Sequence, residues 1–563
     1  MSTLISNTIK PTSGDTVTFT DNVSIGGTLT YEDVTNVDSV GIVTARTGIK
    51  VAAGQSISPV SGTIAYYGDG SNLTGIEPGV ENFVASGTID NGATVVIKDD
   101  GTVGIVTLTT SNTPSVGDPT VFESDRADYI SAIYDSDNNK VIIAYKDYDN
   151  SQYGAAVVGT VSGTSISFGD PVVFEEDTVG FVAATYDTTN DKVVIAYQKQ
   201  SGSWHGYAVV GTVSGTGPSA TISFGTPVVF GSSSSASYFA ATFDPDEGKV
   251  VIAFQHSDSG ANAGKAIVGT VSGTGPSATI TFGTEVQFEA GATFSISAVY
   301  EPDNNKVVIA YQDSSVPDGK AVVGTVSGTG PSATISFGTP VVFKSTNSYA
   351  ISATYVGSSK IGVAYFNQGG SGDGEVIVGT VTGTGITFGT GVQLNAGSTG
   401  EISATYDSAN DKVVIAYHDY PSFYGTLSVG TVNEDTVSIG TTMVYESSSI
   451  SYNSVTYDSA NEKVAIAYRA SPSPYPGTAV VYSATTQTTN LTAENYIGIS
   501  GEAISNGATG KINITGGINS GQTGLTTAKK YYVGQTGILT TTADTPSVVA
   551  GTSISDTEIL VWS

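Results

Sequence analysis

The chain has 563 residues, of which 39% are apolar and only 13% are charged, with a formal net charge of −30 and no cysteine. The charge argues against nucleic acid and anionic membranes as partners, because both need clustered Lys and Arg, and the lack of cysteine excludes disulfides and thiolate chemistry. No apolar run reaches the ~18 residues of a membrane span. The N-terminal residues also lack the basic and apolar regions of a secretory signal, so we expect no membrane insertion.

The first predicted module covers residues 1–85. Its stretch 23–50 contains short Thr- and Gly-rich β-segments separated by Asn and Asp, a composition that is typical of a fibre shaft or a β-solenoid. The sequence leaves these two structures open. Residues 86–102 are interpreted as a linker to the repeats that follow.

A repeat with four predicted strands occupies residues 103–486. One copy has strands over Phe181–Asp187, Lys192–Tyr197, Ala208–Val213 and Thr221–Phe230, joined by polar turns or loops. An aromatic landmark, followed by an acidic residue in all but one copy, occurs at Tyr134, Tyr186, Phe243, Tyr300, Tyr355, Tyr406 and Tyr457. A period of 51–57 residues with four strands is typical of propeller blades. The pattern therefore predicts an all-β fold with one seven-bladed β-propeller.

The strand count further predicts that the propeller is closed by its N-terminal strand. The last copy lacks a good fourth strand, whereas Pro114–Phe122 reads as a fourth strand with no copy before it. Pairing the two would remove exposed sheet edges. After the repeats, residues 487–563 contain β-segments between Gly and Asn turns, which predicts a small C-terminal β-rich domain.

The loops between the second and third strands differ from copy to copy and are rich in aromatic side chains. Exposed aromatics offer stacking platforms for sugar rings and anchors for proteins. The alternative is that these rings pack on neighbouring loops. The candidate ligand-binding residues are Tyr148, Tyr153, Trp204, His205, Tyr420, Phe423, Tyr424 and Tyr475.

The turns between the first and second strands are acidic, as in Asp135–Asn139. Carboxylates at such spacing could hold Ca²⁺, but Asp and Asn are also favoured at hairpin turns for their turn chemistry. None of these turns has the complete pattern of a calcium loop. We therefore assign no metal ligand and no cofactor.

The motifs favour a structural or binding protein and predict that the chain is not an enzyme. Sialidases, which are propellers, hold a carboxylate with several arginines, and this chain has only Arg46, Arg126 and Arg469. Neither a nucleophile elbow nor a metalloprotease helix is present. No catalytic residue is assigned, although the 51 acidic residues leave a pair of glycosidase carboxylates open.

Both ends of the chain resemble one family. Met1–Phe19, Gly26–Lys50 and Ser56–Ile76 resemble the N-terminal modules of tail-fibre-like virion proteins from marine cyanobacterial myoviruses. Asn490–Ser500, together with Gly524–Thr542, resembles the terminal module of the same proteins. The middle section varies widely in that family, so the propeller prediction rests on the repeat alone.

The resemblance implies a subunit of a phage virion appendage, usually a homotrimer, made in the host cytoplasm without a signal peptide. Its N-terminal module would contact other virion proteins, and its propeller would bind a glycan or protein on the host surface. Two alternatives stay open. One is a capsid, neck or baseplate decoration protein without receptor binding, and the other is an enzyme that acts on surface polysaccharide.

Overall fold

The computed structural model describes residues 79–562 except 112, 203, 232–234, 258–261, 370–371 and 545. Almost all of the predicted module at 1–85 lies outside the described residues. The described residues form an all-β fold of antiparallel sheets with short 3-10 helices at Gly217–Ser219, Gly275–Ser277 and Gly330–Ser332. In this part of the chain, no helix has the length and apolar character needed to cross a bilayer.

The strands are numbered in chain order. Those before the repeats are β1 (Val80–Val84), β2 (Thr94–Ile97), β3 (Val103–Ile105) and β4 (Leu108–Ser111). Those of the repeats are β5 (Ser115–Val116), β6 (Thr120–Asp135), β7 (Lys140–Asp147), β8 (Tyr153–Ser162), β9 (Ser165–Phe168), β10 (Val172–Glu175), β11 (Val179–Asp187), β12 (Lys192–Lys199), β13 (Gly206–Ser214), β14 (Thr221–Phe224), β15 (Val228–Phe230), β16 (Ser235–Asp244), β17 (Lys249–Ser257), β18 (Ala263–Ser272), β19 (Thr279–Phe282), β20 (Val286–Glu301), β21 (Lys306–Asp313), β22 (Asp318–Ser327), β23 (Thr334–Phe337), β24 (Val341–Lys344), β25 (Ser348–Tyr355), β26 (Lys360–Asn367), β27 (Asp373–Thr382), β28 (Gly385–Phe388), β29 (Val392–Asp407), β30 (Lys412–Asp419), β31 (Tyr424–Asn433), β32 (Thr436–Glu446), β33 (Ile450–Asp458), β34 (Lys463–Ala470) and β35 (Pro476–Ser483). Those after the repeats are β36 (Thr486–Thr489), β37 (Tyr496–Ser500), β38 (Thr509–Asn513), β39 (Ile518–Asn519), β40 (Lys530–Val533), β41 (Leu539–Thr540), β42 (Val548–Ser553) and β43 (Ile559–Val561).

Each copy of the repeat folds into an antiparallel sheet with four strand positions. In the second copy β11 pairs with β12, β12 with β13, and β13 with both β14 and β15, which share the fourth position. The second strands are continuous apolar runs because both of their faces are covered. Val193 and Ile195 pack into the core shared with the preceding copy, whereas Val194 and Ala196 pack into the core shared with the following copy.

The repeat sheets follow one another in cyclic order. The first strands of copies 1 to 7 are β6, β11, β16, β20, β25, β29 and β33; each contacts the next, and β33 contacts β6. In copy 7, β35 pairs with β5 and with the start of β6, where Thr478 lies opposite Val121. The segment Pro114–Phe122 therefore completes the last copy, as the strand count predicts. The rest of β6 pairs with β7 as the first strand of copy 1.

The same hydrogen bonds recur between neighbouring sheets. Buried tyrosines at one position of the second strands donate to a glutamate of the preceding copy, as Tyr145 to Glu123, Tyr197 to Glu175, Tyr311 to Glu289 and Tyr468 to Glu446. Serine hydroxyls on the first strands accept amide protons from the next copy. Ser352 accepts from Ala404, and Ser454 accepts from Ala132 across the closing interface, both at 2.9 Å. The closing interface is thus built like an internal one.

The two ends of the described chain form a second group of sheets. One sheet has the order β1-β38-β37-β2-β3, another has the order β39-β43-β42-β40-β41, and β4 pairs with β36. Val96, Tyr496 and Val533 share one buried apolar cluster, which joins the two five-stranded sheets. Strand β2 lies within the segment 86–102 that was interpreted as a linker, and there it pairs with a C-terminal strand. We call these sheets, over 80–111 and 486–561, the flanking β region.

Candidate ligand-binding face

The repeat sheets have two ends, and the flanking β region lies at one of them. Antiparallel order places the loops between second and third strands at one end, which we call the upper face. Its described loop residues are 148–152, 200–202, 204–205, 262, 314–317, 368–369, 372, 420–423 and 471–475. The chain enters at the start of β5 and leaves at the end of β35, both at the opposite end. There a cavity of about 650 Å³ is lined by Gly163 of a repeat hairpin and by Gln535 and Asp544 of the flanking region. The upper face is therefore turned away from that region.

The structure brings the eight predicted ligand-binding residues onto one arc of the upper face. They belong to copies 1, 2, 6 and 7, which are consecutive because copy 7 contacts copy 1. Tyr153 and His205 are half-buried. The exposed ones are Tyr148, Trp204, Tyr420, Phe423, Tyr424 and Tyr475. Among the described aromatic side chains, the others that reach this exposure are Tyr349 and Trp562.

Three of these loop aromatics have a backbone conformation that bulky residues rarely adopt. Trp204, Phe423 and Tyr475 have φ values of 60°, 63° and 66°, one or two residues before their third strand. A left-handed conformation in such a residue is unfavourable by about 1–3 kcal/mol and persists where the surrounding structure imposes it. Gln152 and Asn262, directly before the third strands of copies 1 and 3, have φ values of 64° and 48°. The left-handed residue is therefore a recurring feature of these loops, and in copies 2, 6 and 7 it carries an aromatic ring.

Two arginines fix the tyrosines at the junction of copies 7 and 1. The Arg126 guanidinium lies 4.2 Å from the centre of the Tyr148 ring, and that of Arg469 lies 5.6 Å from the centre of the Tyr475 ring. Both arginines form salt bridges with the nearly buried Asp128, and the hydrogen bond to Asp128 raises the pKa of Arg126. Because both charges are directed to one carboxylate, the arginines position aromatic rings here and do not form a free anion clamp.

A histidine supports the aromatic loop of copy 6. His418 meets the Tyr420 ring edge-on, with 4.5 Å between ring centres, and lies 6.4 Å from the Phe423 ring. Burial lowers the pKa of His418 below its usual value. A neutral imidazole therefore packs beneath the two exposed rings.

A second group of side chains, which the sequence analysis did not identify, lines the axis of the repeat ring. Each first strand has one residue with φ between 45° and 53°: Tyr129, Phe181, Tyr238, Ser295, Ala350, Glu401 and Tyr452. At each of these positions the pairing with the second strand shifts register, which marks a β-bulge that redirects the side chain. We call these seven residues the axial ring.

The axial ring is aromatic on one side and carries Ser, Ala and Glu on the other. Ring centres are 5.0 Å apart for Tyr452 and Tyr129, 5.3 Å for Tyr129 and Phe181, and 4.9 Å for Phe181 and Tyr238. These four rings belong to copies 7, 1, 2 and 3. Ser295, Ala350 and Glu401 occupy the same position in copies 4, 5 and 6, so the near-repeated backbone carries a strongly asymmetric set of side chains.

A cavity of about 240 Å³, which we call the axial funnel, is lined by the four aromatic residues and by Ser295, Glu401 and Asn453. The Glu401 carboxylate accepts a hydrogen bond of 2.8 Å from the Tyr452 amide, and Asn453 Nδ2 donates to the Glu401 carbonyl at 3.1 Å. The other amide atom, Asn453 Oδ1, is buried without a hydrogen-bond partner among the described residues. Burial raises the pKa of Glu401, outweighing the Tyr452 amide and the nearby Arg469.

The axial ring could have been found from the sequence by its distance to the landmark. Each of its members lies five residues before the landmark aromatic, as Tyr129 before Tyr134 and Glu401 before Tyr406. In a regular strand, residues an odd number apart face opposite sides, so this position was read as ordinary strand. The bulge changes which side chain faces the axis.

The acidic turns use their carboxylates within the turn. Asp187 Oδ1 accepts from the amides of Thr189 and Asn190, both at 3.0 Å, and Asp187 Oδ2 accepts from Asn190 Nδ2 at 2.8 Å. Lys192 Nζ donates to the Asn190 carbonyl at 3.0 Å. Within the described residues, no group of three or more His, Cys, Asp or Glu side chains is placed to hold a metal ion. These contacts are those expected from turn chemistry.

No protein-family model and no curated protein matches the sequence. Among solved structures, the chain is similar to the NanB sialidase of Streptococcus pneumoniae, with 11% identity, 64% of this chain and 70% of that chain covered, and a TM-score of 0.39. It is also similar to AofleA of Arthrobotrys oligospora, with 10% identity, 65% of this chain and 96% of that chain covered, and a TM-score of 0.36. A third similar structure is the periplasmic gluconolactonase PpgL of Pseudomonas aeruginosa, with 12% identity, 57% of this chain and 86% of that chain covered, and a TM-score of 0.42. Likeness at this level concerns the fold and assigns no activity or ligand to this chain.

These structures correct one expectation. The missing catalytic motifs led to the prediction that the chain is not an enzyme. That prediction is wrong as an exclusion, because a sialidase and a gluconolactonase are among the structures with this propeller-like all-β fold. Missing sequence motifs do not separate this chain from enzymes, and catalysis has to be tested directly.

Proposed function

We propose that the chain is a subunit of a phage virion appendage of the tail-fibre type and that it binds a glycan or protein on the host surface. Its seven repeats would form one closed seven-bladed β-propeller. Residues 1–85 would contact other virion proteins, and the flanking β region would hold the propeller with its upper face outward. The resemblance at both chain ends supports the virion assignment.

The observation that carries the binding role is the distribution of exposed aromatics. Five of them lie on the upper-face loops of four consecutive copies, and a sixth, Tyr424, begins the strand that follows one of these loops. All six are at the end that faces away from the flanking β region. Rigid aromatic anchors supply much of the binding energy at recognition surfaces, and they offer flat apolar faces to sugar rings. A spacer protein has no need to expose aromatic residues together at one end.

Trp204 and Trp562 offer a matched test of this role. They are exposed to the same extent, 46% and 47%, but Trp204 lies on the upper face and Trp562 at the end of the flanking β region. We expect Trp204→Ala combined with Tyr424→Ala to weaken binding of the labelled protein to marine cyanobacterial host cells by roughly 10- to 30-fold. Trp562→Ala should leave binding unchanged.

The same experiment separates the receptor-binding proposal from the decoration-protein alternative. Equal binding of the double variant and the wild-type protein, with both folded, would exclude a role of these loops in adsorption. The decoration or spacer function would then be favoured. Loss of binding in Trp562→Ala alone would move the binding surface to the flanking region.

Glycan cleavage is a second candidate, and one observation favours it. Glu401 is a carboxyl group with a raised pKa in a cavity, which is the property of a general acid in glycoside hydrolysis. Release of reducing sugar from host envelope polysaccharide by the wild-type protein, and its loss in Glu401→Gln, would support this function. Absence of release across several host polysaccharides would count against it.

A further inference from the structure

The axial funnel is a separate cavity from the exposed loop aromatics of the upper face. Its aromatic side is formed by Tyr452, Tyr129, Phe181 and Tyr238 in sequence around the ring. Its polar side is formed by Ser295, Glu401 and Asn453. Except for Asn453, which follows Tyr452 in copy 7, these residues occupy one repeated backbone position.

The polar side of the funnel contains one buried acceptor that lacks a donor among the described residues. Asn453 Oδ1 is buried and unpartnered, and one Glu401 oxygen accepts from the Tyr452 amide. A buried acceptor without a donor is unfavourable. A ligand that carries hydroxyl donors on one edge and an apolar face on the other would satisfy both sides of this cavity.

The charges near the funnel argue against an acidic ligand. Arg126 and Arg469 both form salt bridges with Asp128. Lys146 lies 5.8 Å from the centre of the Tyr129 ring, and burial lowers its pKa. None of these three cations lines the cavity, so none is placed as a partner for a ligand carboxylate. Glu401 would repel such a carboxylate whenever it is itself ionised. The cavity volume of about 240 Å³ also lies below the ~300–1,000 Å³ of pockets for drug-sized molecules, which limits the occupant to about one sugar ring.

The geometry points to the axial funnel as a subsite for one neutral pyranose ring of a host-surface glycan, stacked on the aromatic side and hydrogen-bonded through its hydroxyls to Asn453 and Glu401. This inference rests on the proposed function, because it names the class of ligand that the upper face binds. The loop aromatics would contact the rest of the glycan around the funnel.

Saturation-transfer NMR on the full chain tests the subsite with defined probes. The probes are the methyl pyranosides of glucose, galactose, mannose and fucose, with methyl glucuronide as the acidic counterpart. We expect saturation transfer to at least one neutral glycoside and none to the glucuronide. Tyr238→Ala should abolish the signal, and Phe181→Leu, which keeps an apolar side chain but removes the flat ring, should weaken the affinity about tenfold.

Trp204→Ala is the control, because Trp204 lies on the upper face outside the funnel. It should retain the monosaccharide signal while weakening binding to cells. The inference is overturned if no neutral glycoside gives a signal, if the glucuronide binds equally, or if folded Phe181→Leu binds like the wild type. In those cases, cell binding that still depends on Trp204 would leave the proposed function standing, whereas loss of that dependence would remove it separately.

Discussion

The axial ring combines a backbone conformation that all seven copies share with side chains that differ between copies. Its seven residues share φ values of 45°–53°. The β-bulge is thus repeated in every copy, whereas the side chain at this position is not. A left-handed conformation is strained for Tyr, Phe and Glu, and glycine would adopt it freely. None of the seven is glycine. Six of the seven side chains line the axial funnel, and Glu401 is the one whose role can be measured most directly.

Glu401→Gln should stabilise the protein at neutral pH. The folded state raises the pKa of Glu401 because the carboxylate is buried, so ionisation is less favourable in the folded than in the unfolded chain. Stability of the wild type therefore falls as pH rises through the unfolded pKa of ~4.3 towards the folded pKa, and stays lower above it. Glutamine avoids this loss and can still accept the Tyr452 amide.

Thermal unfolding between pH 3.5 and 8 measures the effect of Glu401→Gln. The melting temperature of the variant should exceed that of the wild type at pH 7, and the difference should shrink towards low pH, where Glu401 is protonated in both states. Glu494→Gln, at an exposed position of the flanking region, serves as the control and should show no such trend. A variant that melts below the wild type at pH 7 would show that the carboxylate stabilises the fold.

At the scale of strands and sheets, the repeat predicted what depends on short-range pattern. The period and the apolar runs gave the four strand positions of each copy, and counting them identified the segment at 114–122 that completes the last copy. Pairing between strands that are distant in the sequence has no comparable short-range pattern. Strand β2 pairs with β37, whose residues lie about 400 positions later, so residues 86–102 read as a linker.

The candidate site was predicted to the same degree. The eight loop residues were found because these loops vary while the strands do not, and the structure adds that copies 6, 7, 1 and 2 bring them onto one arc. The axial ring was missed because a β-bulge breaks the alternation of facing side chains. The constant distance to the landmark marks the position in the sequence, but no composition signal in Tyr129–Tyr134 indicates a bulge there, which the register shift in the structure reveals.

The closing interface should be as strong as an internal one. Ser454 accepts the Ala132 amide between copies 7 and 1, and Ser352 accepts the Ala404 amide between copies 5 and 6, with equal distances. Removing either hydroxyl leaves a partly buried amide without its acceptor, which costs about 1–3 kcal/mol. We expect Ser454→Ala and Ser352→Ala to lower the urea midpoint by similar amounts. If Ser352→Ala lowers the urea midpoint and Ser454→Ala leaves it unchanged, the ring opens between copies 7 and 1 in solution.

At the scale of the whole molecule, the net charge of −30 makes separate chains repel one another at long range. A single funnel of this size would bind one sugar ring only weakly. Firm attachment to a cell would then require several linked sites. Linking raises the overall affinity by about 10²–10⁴ without any new contact, provided that the sites can engage together. The homotrimer that the resemblance implies would link three upper faces in one assembly.

Light-scattering mass of the purified chain, with negative-stain images of the same peak, tests this assembly. We expect the mass of three chains of 57.3 kDa each and ring-shaped lobes in the images. Dilution below the assembly threshold should then weaken cell binding far more than it weakens the methyl glycoside signal, because only the former depends on linked sites. A monomer that still binds cells tightly would place the affinity in a single upper face, with the loop aromatics and the axial funnel together contacting an extended glycan. A monomer that does not bind would favour the decoration and enzyme alternatives, since neither requires avidity.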